Sequence, residues 1–107
     1  MTATPPAEVL DLSEMVAYQE GAVVSRQVTK GEGGNLTLFA FDRGQELSEH
    51  TTPFDAFVQV LEGQVEIRIS GKSYLLGPGQ VILMPAGEPH ALSARSQFKM
   101  LLTMFRA

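Results

Sequence analysis

Two side chains in this sequence are suited to hold a proton, a metal ion or a polar ligand near neutral pH. They are His50 and His90, the only histidines. A neutral imidazole is the commonest metal ligand and a general base near physiological pH. Two imidazoles make a catalytic metal centre once a third imidazole or a carboxylate joins them. Asp55 and Gln59 are the candidate third donors, and Thr52 is a weak one. The plainer reading is that both histidines are pocket residues that bond each other, a water or Thr52. The chain has no cysteine, which removes disulfides, thiolate ligands and a Cys nucleophile.

No other catalytic pattern stands out. There is no Gly-x-Ser-x-Gly elbow, no phosphate loop and no dinucleotide fingerprint. Lys30-Gly-Glu-Gly-Gly34 is glycine-rich, but no helical pattern follows it, so it reads as a hairpin turn. A net charge of −4 with basic residues scattered singly argues against a nucleic-acid partner. Hydrophobic residues at 44% and charged ones at 19% fit a folded domain rather than a disordered chain. A length of 107 residues suits one domain. Met1 to Glu8 lacks the basic and apolar regions of a signal peptide, and no apolar run approaches the ~20 residues of a membrane helix. A cytoplasmic protein without a membrane partner is the expectation.

The elements that must position the histidines are strands. Residues 1–20 read as a lead-in, in which Asp11 and Glu14 resemble a capping box and predict a short helical turn. Residues 21–107 read as a single β domain. Ala22 to Thr29 is a first strand. Asn35 to Asp42 is apolar on both faces, with Leu36, Leu38 and Ala40 on one and Thr37, Phe39 and Phe41 on the other. Such a strand needs cover on both sides, from a core and a second subunit. Phe57 to Glu62 follows, then Val65, Ile67 and Ile69 alternate with polar residues. Ser70-Gly71-Lys72-Ser73 is a tight hairpin, and Gly77-Pro78-Gly79 is a second turn. Val81 to Met84 reads as a short buried strand, and Phe98, Met100, Leu102 and Met104 recur at period two. Seven or eight short strands with almost no helix predict an antiparallel sandwich or small barrel.

The spacing around the two histidines resembles that of the cupin family. Gly79, Pro85, Gly87 and His90 match its second motif, with Ala94 where that motif has Asn. Gly44, His50 and Gly63 match its first, with Thr52 in place of the second His and Ala56 in place of the Glu. The resemblance runs from about Asn35 to Arg106. It implies an all-β, antiparallel double-stranded β-helix, or jelly-roll barrel, with a central pocket and often a dimer. It also implies a divalent ion held by three histidines and a glutamate; two of those four positions are altered here. Asp55 stands beside the Glu position, so alternation points it away unless Pro53 breaks the register. Gln59 has the same wrong parity.

Strand alternation and the resemblance together place Phe41, Val58, Met84, Met100 and Leu102 in the pocket lining, with His50, His90, Thr52 and Gln59 as its polar groups. Three functions follow. The first is a module that binds a small molecule, with the histidines as polar anchors. The second is a metal-dependent enzyme of dioxygenase or isomerase type, using Zn, Ni, Mn or Fe on His50 and His90 with Asp55 or Gln59 as third ligand. The third is a metal-free acid–base catalyst that moves a proton through one histidine. Strands with two apolar faces also predict a homodimer.

Overall fold

Alternating side chains and frequent glycine turns divide the chain into nine strands among the residues described, 4–106 of the computed structural model. The expected limits at Met1 and Ala107 lie outside those residues. The strands are β1 (Val23–Gly31), β2 (Gly34–Phe41), β3 (Glu46–His50), β4 (Asp55–Glu62), β5 (Val65–Ile69), β6 (Lys72–Leu76), β7 (Val81–Met84), β8 (His90–Ala94) and β9 (Phe98–Phe105). Two of them, β3 and β8, carry the histidines and went unmarked by the sequence pattern. Strand β3 has one apolar residue, Leu47, and β8 reads His-Ala-Leu-Ser-Ala, so neither shows a β-branched run.

All pairings are antiparallel. The large sheet has the order β1-β2-β9-β4-β7 and the small sheet β3-β8-β5-β6. The two sheets face each other as a jelly roll. Their inner faces bury Phe41, Val58, Val60, Val65, Ile67, Phe98 and Met100 to 1% exposure or less. Phe41 and Phe98 stack at 4.5 Å across the β2–β9 ladder. The β5–β6 hairpin turns through Ser70 and Gly71, both at positive φ (49° and 83°), as a two-residue hairpin demands.

The outer face of β2 is covered by the chain itself. A 3-10 turn at Leu12–Met15 leads into Val16, which is buried against Leu38, Ala40 and Leu101, with Leu12, Met15 and Tyr18 around it. The second apolar face of β2 therefore needs no second subunit. Polar bonds tie this lead-in down: the Lys99 ammonium donates to the Ser13 carbonyl at 2.6 Å, and the Tyr18 hydroxyl to Glu62 Oε1 at 2.7 Å. Burial, and then the Glu62 carboxylate, push the Tyr18 hydroxyl pKa above the usual range. The expected capping box does not form. Asp11 makes no side-chain cap bond, and its carbonyl accepts the Glu14 amide instead.

Strand β7 is not the buried strand expected. It is the edge of the large sheet, so Val81 and Leu83 are 49% and 44% exposed while Met84 is shut in. No helix among the described residues is long and apolar enough to cross a membrane.

Candidate functional site

Strand pairing sets the inner side chains in rows. In the large sheet the last row runs Asn35, Met104, Ala56, Met84; in the small sheet it runs His50, His90, Ile69. The β3–β4 and β7–β8 connections meet at this end, so the two rows face each other. The next row inward pairs Thr37, Leu102, Val58 and Ile82, opposite Leu47, Leu92, Ile67 and Tyr74. Asn35, Thr37, Leu102 and Met104 are only half-buried, and His50 is exposed. Phe41 and Phe98 at the other end are fully shut. The barrel is thus sealed at the Phe41 end, while the histidine end has a rim of exposed and half-buried side chains around His90, Ala56 and Met84, which are 2%, 1% and 2% exposed.

His50 and His90 are direct cross-strand partners with ring centroids 4.4 Å apart, edge to face at 69°. A bulge makes this possible. Leu47 opposes Leu92, two residues (Ser48 and Glu49) separate Leu47 from His50, and only one (Ala91) separates Leu92 from His90. The extra residue turns both Leu47 and His50 inward. His90 sits on an interior strand and is 2% exposed. Burial holds its pKa below the ordinary 6.5, against a raising effect from the Glu88 carbonyl and a smaller lowering one from His50.

Each ring is oriented by the backbone carbonyl two residues before it. His50 Nδ1 lies 2.7 Å from the Ser48 carbonyl, and His90 Nδ1 lies 3.2 Å from the Glu88 carbonyl. A carbonyl only accepts, so each neutral ring carries its proton on Nδ1 and leaves a lone pair on Nε2. The site therefore offers two acceptor nitrogens.

The other expected site residues scatter. Asp55 does not turn inward: its Oδ1 accepts the Ala86 amide at 2.9 Å, in a notch that Pro53, Phe54 and Arg106 also line. Gln59 is exposed on the outer face of β4, opposite in parity to Ala56 and Val58. Thr52 is engaged in the β3–β4 turn, where its hydroxyl accepts the Phe54 amide at 3.3 Å and its carbonyl accepts the Gly87 amide. The expected pocket lining is mostly core. Phe41 and Val58 expose nothing, and Met100 and Met84 are 1% and 2% exposed, so these side chains fill the space they were expected to border. Leu102 alone of that set is half-buried near the histidine end.

Two residues that sequence reasoning passed over stand in the rows at the histidine end. Asn35 and Thr37 share the inner face of β2 with Phe39 and Phe41, and the Thr37 hydroxyl donates to Asn35 Oδ1 at 3.4 Å. The available signal was two polar residues in line with two phenylalanines.

The family's metal set can be tested against these positions. Among the described residues no three His, Asp or Glu side chains are grouped to hold an ion. Ala56 occupies the inner row where a carboxylate would complete the set, and Asp55 is committed elsewhere. The residues present do not fit an ion held by three or four protein ligands.

Two antiparallel sheets facing each other as a jelly roll are the architecture of the cupin class. Residues 37–105 match the Cupin domain model, and the chain belongs to that family. A conserved protein of unknown function from Streptococcus pyogenes is 38% identical over 100% of this chain and 96% of its own, with a TM-score of 0.91. A cupin superfamily protein from Desulfitobacterium hafniense is 26% identical over 97% and 95%, with a TM-score of 0.89. A Cupin 2 conserved barrel domain protein from Leptotrichia buccalis is 35% identical over 91% of this chain and 47% of its own, with a TM-score of 0.87. No curated protein matches the chain.

Proposed function

We propose that this cupin binds a small organic molecule at the histidine end of its barrel, through the Nε2 atoms of His50 and His90. One observation carries the reading: both rings are fixed with Nδ1 toward a backbone carbonyl, which turns the pair into two acceptors at a half-buried apolar rim. Polar groups set in an apolar recess are the usual make-up of a small-molecule site. The ligand donates a hydroxyl or amide proton to the pair.

A second reading is a metal-dependent dioxygenase or isomerase with a reduced ligand set. The shared tautomer supports it, since a histidine ligand commonly donates its other ring N–H to a carbonyl. It needs the substrate or water to supply the donors that Thr52 and Ala56 do not.

Ring-selective NMR separates the two, because the chain has only two histidines. Phenol added to chelator-treated protein is expected to shift the Cε1–H signals of both rings. Signals that ignore phenol and respond only to Zn²⁺ or Fe²⁺ would favour the metal reading instead.

We also propose a homodimer. Leu75, Val81 and Ile82 line one groove between the edge strands β6 and β7, and Leu75 is 61% exposed. An apolar groove at two sheet edges suits a second copy. Light scattering after gel filtration should give twice the mass of the chain.

A further inference from the structure

We infer that Asn35 and Thr37 form the polar wall facing the histidine pair, and that the bound molecule carries a carbonyl oxygen as well as a hydroxyl donor. This rests on the binding reading above. Every other inward position of β2, β4 and β9 is apolar. A polar side chain on such a face is costly unless it is satisfied. Thr37 gives its only hydroxyl proton to Asn35 Oδ1. Both N–H bonds of the Asn35 carboxamide are then left as donors, since its oxygen is the acceptor in that contact.

Across the mouth the chemistry is reversed. His50 and His90 present lone pairs on Nε2, because each Nδ1 proton is taken by a carbonyl. The half-buried Asn35, Thr37, Leu102 and Met104 and the exposed His50 put the molecule at the rim of the mouth, because Ala56, Met84 and His90 behind them are 1%, 2% and 2% exposed. Leu102 and Met104, half-buried beside Thr37 and Asn35, contact the ligand's apolar body. One wall donates and the other accepts. The ligand class this selects is a small hydroxy-carbonyl compound with an apolar ring or chain.

The probes are 3-hydroxyacetophenone and 3-ethylphenol, which share the ring and hydroxyl and differ in the carbonyl oxygen. Both are titrated into chelator-treated protein and followed by the His50 and His90 ring signals. The ketone is expected to bind about tenfold more tightly, as one net hydrogen bond allows. Asn35→Leu should remove that ratio by weakening the ketone more than 3-ethylphenol. Asn35→Asp keeps the shape, loses the donors and should do the same. Equal affinities in the unaltered protein, or a ratio that survives both substitutions, overturns the inference and leaves the binding reading intact. If neither compound moves the ring signals, both fall.

Discussion

His50 and His90 meet edge to face across the β3–β8 ladder, one exposed and the other 2% exposed, with centroids 4.4 Å apart. Burial lowers the His90 pKa below 6.5, so on acidification the unfolded chain takes up its proton before the folded one does. Stability is then at its full level above about pH 6.5 and falls as the pH drops through the folded-state value. Urea midpoints measured from about pH 7 to 5 should decline, and His90→Gln should flatten that decline. An equal slope in the variant would contradict the assignment.

Ala56 occupies the inner row that faces the two histidines. Replacing it with glutamate should complete a set of two imidazoles and one carboxylate. Zn²⁺ or Fe²⁺ at about a hundredfold over its Kd would stabilise Ala56→Glu by about 2.7 kcal/mol. The unaltered protein should show no Tm change with either ion or with EDTA. A Tm that drops on adding EDTA to the unaltered protein would restore the metal reading.

Gly63 sits between β4 and β5 at φ 78°, and a Cβ there would run into the Gln97 carbonyl and Phe98. Both the backbone conformation and the contact oppose any side chain. Gly63→Ala should cost about 2 kcal/mol or more in chemical denaturation, whereas Gly79→Ala, at φ 81° with open space around it, should cost less.

Val16 covers the apolar outer face of β2 together with Leu12, Met15 and Tyr18. Val16→Asp would bury a charge there and should lower stability by about 3 kcal/mol, or release the lead-in. Limited proteolysis distinguishes the outcomes, since release exposes new cleavage sites after Tyr18. A variant with unaltered stability and cleavage would show that the cover is dispensable.

Much of the barrel is legible in the chain because the signals are local. The β5–β6 hairpin follows from alternation and from Ser70-Gly71 alone. Gly44, Gly63, Gly79 and Gly87 all take positive φ at turns, in keeping with their spacing. The parity argument against Asp55 and Gln59 also holds, because β4 keeps its register from Asp55 to Val60. The lining expected of Phe41, Val58, Met84 and Met100 failed for a different reason. Alternation tells which face a side chain takes, and not whether facing side chains meet and fill the gap between sheets.

By itself, then, the sequence determined the turns, the hydrophobic faces and the two histidines as the chemically versatile pair. Three features were decided only in the tertiary structure. The pairing of β3 with β8 and the bulge before His50 bring the two histidines together, although they lie forty residues apart. The order of strands across the large sheet puts Asn35 beside Met104 and in line with Ala56. The docking of the lead-in covers the face of β2 that sequence alone assigned to another subunit. Each of these depends on which distant segments share a ladder or a packed face. Local spacing carries no record of that choice, because it is made by burying the most apolar surface in the whole chain at once.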